Sequence, residues 1–114
     1  MKLDSLRNAS IAKITVIGRK TGKSISLPVQ FVFDEETILL IPFMGRKTSW
    51  YSNLTKNPEI TIDIGGTKLK GNAEPSTDRA TLTGVIEKFK AKYGETNISK
   101  FYPTKDAFVK VLLA

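Results

Sequence analysis

The chain of 114 residues contains no cysteine and no histidine. Their absence excludes disulfide bonds, thiolate nucleophiles, zinc sites built from these residues, and every catalytic triad or general base that uses histidine. The acidic residues are scattered, apart from Asp34-Glu35-Glu36, which has the composition of an exposed turn. The sequence therefore predicts no metal site, and any redox chemistry would have to be supplied by a bound cofactor.

Long apolar stretches are also missing. No segment approaches the roughly 20 apolar residues that a membrane-spanning helix requires, and residues 1–8 are too polar for a signal peptide. We therefore expect a cytoplasmic protein with no membrane span. The length fits a single domain over residues 1–114. A domain of this size is only marginally stable alone, which favours a homodimer.

Acidic residues are scarce in the first half of the chain. The net charge is +7, from 18 basic and 11 acidic residues. No acidic residue occurs between Ser5 and Phe33, or between Thr37 and Pro58. Such a distribution suits an anionic partner, which could be a phosphate group, a nucleic acid or an acidic substrate.

The apolar pattern predicts a mainly β fold. Apolar and polar residues alternate from residue 24 to residue 33, which indicates a long strand, and Pro28 places that strand at a sheet edge or at a bulge. Five further strands are predicted, at residues 11–17, 37–41, 60–64, 67–74 and 108–113. Most connections between them are tight hairpins, which implies antiparallel pairing.

The sequence also predicts two helices. A short helix begins at Thr48 or Ser49 and ends before Asn57-Pro58. A long helix covers about residues 78–93 and ends at Gly94, and a polar loop follows it. The predicted fold is therefore mainly β (α+β): a six-stranded antiparallel barrel or curved sheet with one long and one short helix.

Two segments could bind an anionic ligand. Residues 18–24, Gly-Arg-Lys-Thr-Gly-Lys-Ser, resemble a nucleotide-binding P-loop, but the spacing is one residue short and a strand follows instead of a helix. They are either an ordinary basic hairpin turn or a phosphate contact. Residues 42–51, Pro-Phe-Met-Gly-Arg-Lys-Thr-Ser-Trp-Tyr, combine apolar groups, cations and a helix start, which suits a flat ring joined to a phosphate. Trp50 could equally pack in the core.

These segments carry a family resemblance. Residues 17–23 (Ile-Gly-Arg-Lys-Thr-Gly-Lys), Leu27-Pro28-Val29 and residues 50–60 (Trp-Tyr-Ser-Asn-Leu-Thr-Lys-Asn-Pro-Glu-Ile) resemble the deazaflavin-dependent nitroreductase family, in register over about residues 14–73. The resemblance implies a split β-barrel related to FMN-binding pyridoxamine-phosphate-oxidase-like proteins. It also implies a homodimer that binds the deazaflavin coenzyme F-420, with FMN as the alternative cofactor.

The resemblance further implies which residues contact the cofactor. Those near its phosphate would be Arg19, Lys20, Thr21 and Lys23. Those flanking its ring would be Leu27, Pro28, Val29, Pro42, Phe43, Met44 and Gly45, with Arg46, Lys47 and Ser49 towards the phosphate and tail. Trp50 would also contact the cofactor. We expect the exposed residues 18–23 to contribute to binding and not to folding. No catalytic side chain is identified.

Three functions remain open from the sequence. The first is an oxidoreductase that transfers a hydride from the reduced deazaflavin to a small electrophile such as a quinone or nitro compound. The second is an FMN-binding split-barrel reductase or oxidase, because Ile25 stands where the family has a basic residue and a smaller cationic cluster suits the single phosphate of FMN. The third is a non-catalytic cofactor- or anion-binding protein. Nucleic acid is disfavoured, since the polar positions of the long strand, Ser24, Ser26 and Gln30, lack aromatic residues.

Overall fold

The computed structural model describes Leu6 and residues 8–113. Within residues 8–113 the chain forms seven β-strands, three α-helices and one short 3-10 helix. The strands are β1 (Ala12–Ile17), β2 (Ser24–Val29), β3 (Val32–Asp34), β4 (Thr37–Leu40), β5 (Glu59–Ile64), β6 (Thr67–Ser76) and β7 (Phe108–Leu113). The α-helices are α1 (Ser49–Lys56), α2 (Arg79–Tyr93) and α3 (Glu95–Phe101), and the 3-10 helix is Gly45–Lys47.

The seven strands form one antiparallel sheet in the order β2-β1-β5-β6-β7-β4-β3. Its two edge strands, β2 and β3, are consecutive in the chain and are separated only by Gln30 and Phe31. The three residue steps from the end of β2 to the start of β3 span at most about 10 Å, so the sheet must curl until its edges come close together at this point. The predicted mainly β, antiparallel and strongly curved architecture is confirmed.

The number of strands differs from the prediction of six, because the alternating segment of residues 24–33 is divided at Gln30–Phe31. The Phe31 amide donates to the Tyr93 hydroxyl (3.0 Å), and the Phe31 carbonyl accepts from Lys92 Nζ (2.9 Å). These side chains of α2 therefore occupy the backbone groups that a continuous strand would offer to a neighbour. Before the break β2 pairs with β1, and after it β3 pairs with β4. Pro28 does lie on an edge strand, as predicted.

Both predicted helices are present, and a third was missed. Helix α2 begins after Asp78, whose carboxylate accepts from the Thr81 amide, and it ends at Gly94, where φ is +93°. The prediction of a polar loop after α2 is wrong for residues 95–101, which form α3. This helix packs with Ile98 fully buried on one face. In the part of the chain that the structure describes, no helix is both long enough and apolar enough to cross a membrane.

Apolar side chains pack in two clusters, one on each face of the curled sheet. The larger, inner cluster includes Ile14, Phe31, Leu40, Trp50 and Leu54. The outer cluster lies between β3–β4 and the helices α2 and α3, and includes Val32, Leu39, Val85, Phe89 and Ile98. Strands β3 and β4 are thus buried on both faces, which explains their continuous apolar sequence. The helices cover this side of the sheet and leave the β2 edge open.

Candidate ligand-binding groove

An apolar groove runs along β2 and the segment that leads into α1. It consists of two adjoining cavities, of about 450 and 430 Å³, that share Leu27, Phe43 and Trp50. The first is also lined by Ile11, Pro28, Val29, Gln30, Ile41, Phe101 and Tyr102. The second is also lined by Ile25, Met44, Lys47, Thr48, Ser49 and Asn53. Each cavity has the size of a small-molecule site.

The groove collects most of the exposed apolar side chains of the described residues. Of six large hydrophobic residues that are substantially exposed, five line it, and Leu112 is the exception. The five are Ile11, Ile25, Phe43, Met44 and Phe101, which are 43–52% exposed. An apolar patch concentrated in one concave site indicates a site for an apolar ligand or partner.

The edge position of β2 explains how its apolar face comes to line the groove. Ile25, Leu27 and Val29 alternate along the strand, so their side chains share one face. Leu27 and Val29 pack partly against the inner core. Ile25 is 43% exposed. The alternation that predicted a strand therefore also marked one wall of the groove.

The turn between β1 and β2 is fixed to α1. Asn53 Oδ1 accepts from the Arg19 amide at 3.1 Å and from the Arg19 guanidinium at 2.8 Å, and the guanidinium also lies 3.4 Å from the Ser49 carbonyl. The turn itself is closed by hydrogen bonds of Gly18 with Lys23 and Gly22. Arg19 therefore stabilises the junction of the two sequence motifs, although we expected this turn to contribute only to binding.

The segment before α1 presents its cations in two directions. Lys47 lines the groove, whereas Arg46 lies in a separate pocket beside Asp106. The Arg46 amide and Nε donate to the two carboxylate oxygens of Asp106, at 2.9 and 3.2 Å. Gly45 has φ +58° and faces the same carboxylate so closely that a Cβ atom would overlap it. Asp106 therefore fixes the backbone of this segment and holds Arg46 away from the groove.

The two ends of the groove differ in charge. Lys47 is the only cationic residue among the described residues that line it, and Lys20 and Lys23 are exposed on the turn packed against the same end. At the other end the Tyr102 hydroxyl donates to Gln30 Oε1 at 2.9 Å. Burial, with a smaller contribution from Tyr93, raises the pKa of Tyr102 well above its usual value. This end is neutral, because none of the described residues that line it is charged at neutral pH.

The structure brings together eight of the residues that the resemblance implied. They are Leu27, Pro28, Val29, Phe43, Met44, Lys47, Ser49 and Trp50. Trp50 also packs in the inner core, so both interpretations of it apply. Lys20, Thr21 and Lys23 lie on the adjoining exposed turn, Pro42 is buried, and Arg19, Gly45 and Arg46 make the contacts described above.

The groove also contains residues that were not among the predicted site residues. Ile25 carried a signal, since it continues the alternation of Leu27 and Val29 along β2. Gln30 directly follows β2 in the chain and continues its alternating segment. Phe101 and Tyr102, aromatic residues at the end of α3, reach the groove through tertiary packing, where Tyr102 contacts Gln30. Asn53, in the Trp-Tyr-Ser-Asn-Leu motif, lines the groove and anchors the turn at the same time.

Comparison with known proteins identifies one matching sequence family and several solved structures with a similar fold. The sequence model of the F420H(2)-dependent quinone reductase family matches residues 4–99. A solved F420-H2 dependent reductase (FDR-A) has a TM-score of 0.69 at 19% identity, covering 90% of this chain and 93% of the other. A Listeria innocua protein assigned as a pyridoxamine 5'-phosphate oxidase has a TM-score of 0.72 at 14% identity, covering 97% and 89%. A structure described as a domain-swapped dimer has a TM-score of 0.71 at 21% identity, covering 90% and 79%.

Proposed function

Because the chain belongs to the F420H(2)-dependent quinone reductase family, we propose that it is an oxidoreductase that binds the reduced deazaflavin coenzyme F-420 in the apolar groove. The acceptor would be a small electrophile such as a quinone or a nitro compound. The observation that carries the proposal is the concentration of exposed apolar side chains beside a cationic rim.

The groove fits the shape of a flat ring. Leu27 and Val29, which share one face of β2, form one wall, and Phe43 on the segment before α1 forms the other. Trp50 extends from the inner core to the groove surface. Apolar walls on both sides favour a planar aromatic group, because its two faces leave water at the same time.

The charged end of the groove fits a phosphate. Lys47 lines it together with the hydroxyl groups of Thr48 and Ser49, at the first turn of α1. Within the described part of the chain, Thr48 does not cap that helix with its side chain, because its hydroxyl accepts from the Met44 amide at 2.7 Å instead. The first-turn amides of α1 therefore have no side-chain cap, and such amides attract anions. Lys20 and Lys23 add positive charge on the neighbouring turn.

The chain's own residues would bind, orient and exclude water. The bound cofactor supplies the hydride, so no protein nucleophile is needed and the absence of cysteine and histidine is compatible with the reaction. Tyr102 keeps its proton at neutral pH, as an unperturbed tyrosine does, and burial raises its pKa further. Its hydroxyl lies at the neutral end of the groove, hydrogen-bonded to Gln30, where a polar group of the acceptor could take that hydrogen bond.

The proposal includes a homodimer. The rim of the groove leaves Ile11, Phe43 and Phe101 about half exposed, and a second copy could cover this rim. A similar fold is described as a domain-swapped dimer. Light scattering at micromolar concentration tests this part: a dimeric mass supports it, and a monomeric mass contradicts it without affecting the cofactor proposal.

Two fluorescence titrations, with coenzyme F-420 and with FMN, test the cofactor. Tight binding of the deazaflavin, followed by quinone reduction under steady-state conditions, supports the proposal. Tight binding of FMN alone would keep the groove as the site and favour the flavin-dependent alternative. Deazaflavin binding with no turnover on a panel of quinones and nitro compounds would favour a non-catalytic binding protein. Binding of neither cofactor would contradict the proposal.

A matched pair of variants locates the binding site. Lys47→Ala removes the cation that lines the groove, whereas Lys68→Ala removes an exposed cation of β6 on the other face of the sheet. We expect Lys47→Ala to weaken cofactor binding by about tenfold, as for one charge-assisted contact, and Lys68→Ala to change it less than twofold. Equal losses of affinity in the two variants would mean that the net charge of the protein, and not the position of Lys47, determines cofactor binding.

A further inference from the structure

A separate cavity lies outside the groove, on the other side of the segment that precedes α1. It has a volume of about 420 Å³ and lies between the first two turns of α2 and residues 105–106. It is lined by Arg46, Thr77, Arg79, Leu82, Thr83, Ile86, Lys105 and Asp106. None of these described residues lines the groove, so a ligand could occupy this pocket independently of the groove.

The pocket has an excess of two positive charges. Three cationic residues line it, with one carboxylate. Arg46 and Asp106 are paired at 3.2 Å and offset each other. Arg79 and Lys105 form no ion pair with any residue that the structure describes. Two cations without counter-charges at the edge of one concave site attract an anion and repel each other without it.

The remaining lining residues provide both polar and apolar contacts. Thr77 places a hydroxyl group in the pocket. Thr83, one turn after Arg79 on α2, also lines the pocket, but its hydroxyl donates to the Arg79 carbonyl at 3.0 Å. Leu82, which is buried, and Ile86, which is half-buried, form an apolar floor between them. An inorganic anion would use the cations and the Thr77 hydroxyl alone, whereas a ligand with an apolar body would use the floor as well.

We propose that this pocket binds a small phosphate monoester with an apolar body. A phosphate monoester carries close to two negative charges at neutral pH, which matches the two unpaired cations. The Arg79 guanidinium suits the phosphate oxygens because its N–H groups can donate two parallel hydrogen bonds. The apolar body lies on Leu82 and Ile86. The site is separate from the cofactor groove and does not depend on the function proposed above.

The test is a residue-resolved NMR titration of the full chain with phenyl phosphate and, separately, with inorganic phosphate. Saturable shifts are expected for the amides of Thr77, Arg79, Thr83 and Lys105 with both probes. Phenyl phosphate should bind several-fold more tightly, because its ring covers the apolar floor. Shifts confined to residues of the groove, such as Lys47 and Ser49, would overturn the proposal, as would equal affinity for the two probes.

Two double variants separate a specific site from general attraction to a basic protein. Arg79→Ala with Lys105→Ala should weaken phenyl phosphate binding by about tenfold or more, since two charge-assisted contacts are lost. Lys68→Ala with Lys100→Ala removes the same charge from other exposed positions and should leave affinity within about twofold. A loss of equal size in both would overturn the proposal. If the first variant is unstable, Arg79→Gln with Lys105→Gln provides the same test with the side-chain stems retained.

Discussion

The side-chain oxygen of Asn53 accepts hydrogen bonds from both the backbone amide and the guanidinium of Arg19, at 3.1 and 2.8 Å. Asn53 is 3% exposed, and it is the only polar residue among those the structure describes as buried. It joins the Gly-Arg-Lys-Thr-Gly turn to the Trp-Tyr-Ser-Asn-Leu helix, the two motifs that carried the family resemblance. The buried side-chain amide of Asn53 therefore fixes the position of the turn relative to α1 at one end of the groove.

Asn53→Ala should lower the free energy of unfolding by about 2–3 kcal/mol, because it leaves two donors of Arg19 without their acceptor, one of them charged. The turn would also loosen, so cofactor affinity should fall with stability. Urea denaturation and the fluorescence titration measure the two effects. Asn53→Asp keeps the acceptor oxygen opposite the guanidinium and should be clearly less destabilised than Asn53→Ala. Equal destabilisation would show that these hydrogen bonds do not stabilise the turn.

Phe43→Ala should weaken binding of the cofactor ring by about tenfold, corresponding to roughly 1.4 kcal/mol of lost apolar contact. Phe43 is 50% exposed and lines both halves of the groove. Folding should change little, since half of the side chain is already in water. Leu112→Ala is the matched control, because Leu112 is 40% exposed and lies on β7, outside the groove. An effect on affinity of the same size in Leu112→Ala would contradict the assignment of the groove.

Gly45→Ala should destabilise the protein more than Gly65→Ala does. The two glycines have nearly the same backbone angle, φ +58° and +59°, so both substitutions incur the cost of about 1 kcal/mol for a left-handed residue with a side chain. Only at Gly45 would the new methyl group overlap the Asp106 carboxylate, whereas a Cβ at Gly65 meets no described atom within 4 Å. The difference between the two variants in thermal denaturation measures the contact with Asp106. No difference would mean that Asp106 moves aside at little cost.

Tyr93→Phe should lower the free energy of unfolding by about 1–3 kcal/mol, because the buried Phe31 amide loses its acceptor. The Tyr93 hydroxyl also lies 2.8 Å from the Ser10 carbonyl and 2.9 Å from the Phe31 carbonyl, at the point where the sheet edges meet. Tyr102→Phe removes only the hydrogen bond to the Gln30 side chain and should cost less. Chemical denaturation of the two variants gives the comparison, and a larger loss in Tyr102→Phe would contradict it.

Acid should remove the stabilising effect of Asp78 on α2. Hydrogen bonds from the Thr81 hydroxyl first, and then from the Thr81 amide, lower the pKa of Asp78 below its usual 3.8. Because the pKa is lowered in the folded state, this stabilisation is complete above pH 3.8 and is lost as the pH falls through the lowered value. The melting temperature of the wild type should therefore exceed that of Asp78→Asn at pH 6 by more than at pH 3. Asp78→Asn keeps an acceptor that does not titrate, and a constant difference would contradict the assignment.

Local periodicity was enough to predict most of the fold. The alternating strands, the apolar stripe of α2 and the glycine that ends it are all visible within short windows of sequence. The break at Gln30–Phe31 was not, because its cause is a pair of side chains about sixty residues later, Lys92 and Tyr93. Helix α3 was missed for a similar reason. Its sequence is polar, and it is stabilised by tertiary contacts: Ile98 is buried in the outer cluster, and Asn97 accepts a hydrogen bond from the Gln30 side chain.

The site residues can likewise be divided into those that local sequence identifies and those that depend on distant contacts. The apolar positions of β2 and the aromatic residue at the start of α1 could be identified from the sequence, because their spacing or motif is local. The directions of the cations could not. Arg46 and Lys47 are adjacent, yet Asp106, sixty residues later, holds Arg46 away from the groove while Lys47 lines it. Arg19 is likewise held by Asn53, so a basic motif alone does not show which of its charges is free for a ligand.

The strand order has a consequence for how the protein is made. Strand β7 lies between β6 and β4 in the sheet, so among the described strands it alone pairs with both the unit β2-β1-β5-β6 and the hairpin β3-β4. Both of those units precede it in the chain and can pair locally while synthesis continues, but their apolar faces stay partly uncovered until residues 108–113 have left the ribosome. Completion of the curled sheet is thus a late step that depends on contacts between distant parts of the chain, which are slow to form. Chaperone dependence and aggregation should therefore be concentrated in nascent chains that stop short of β7.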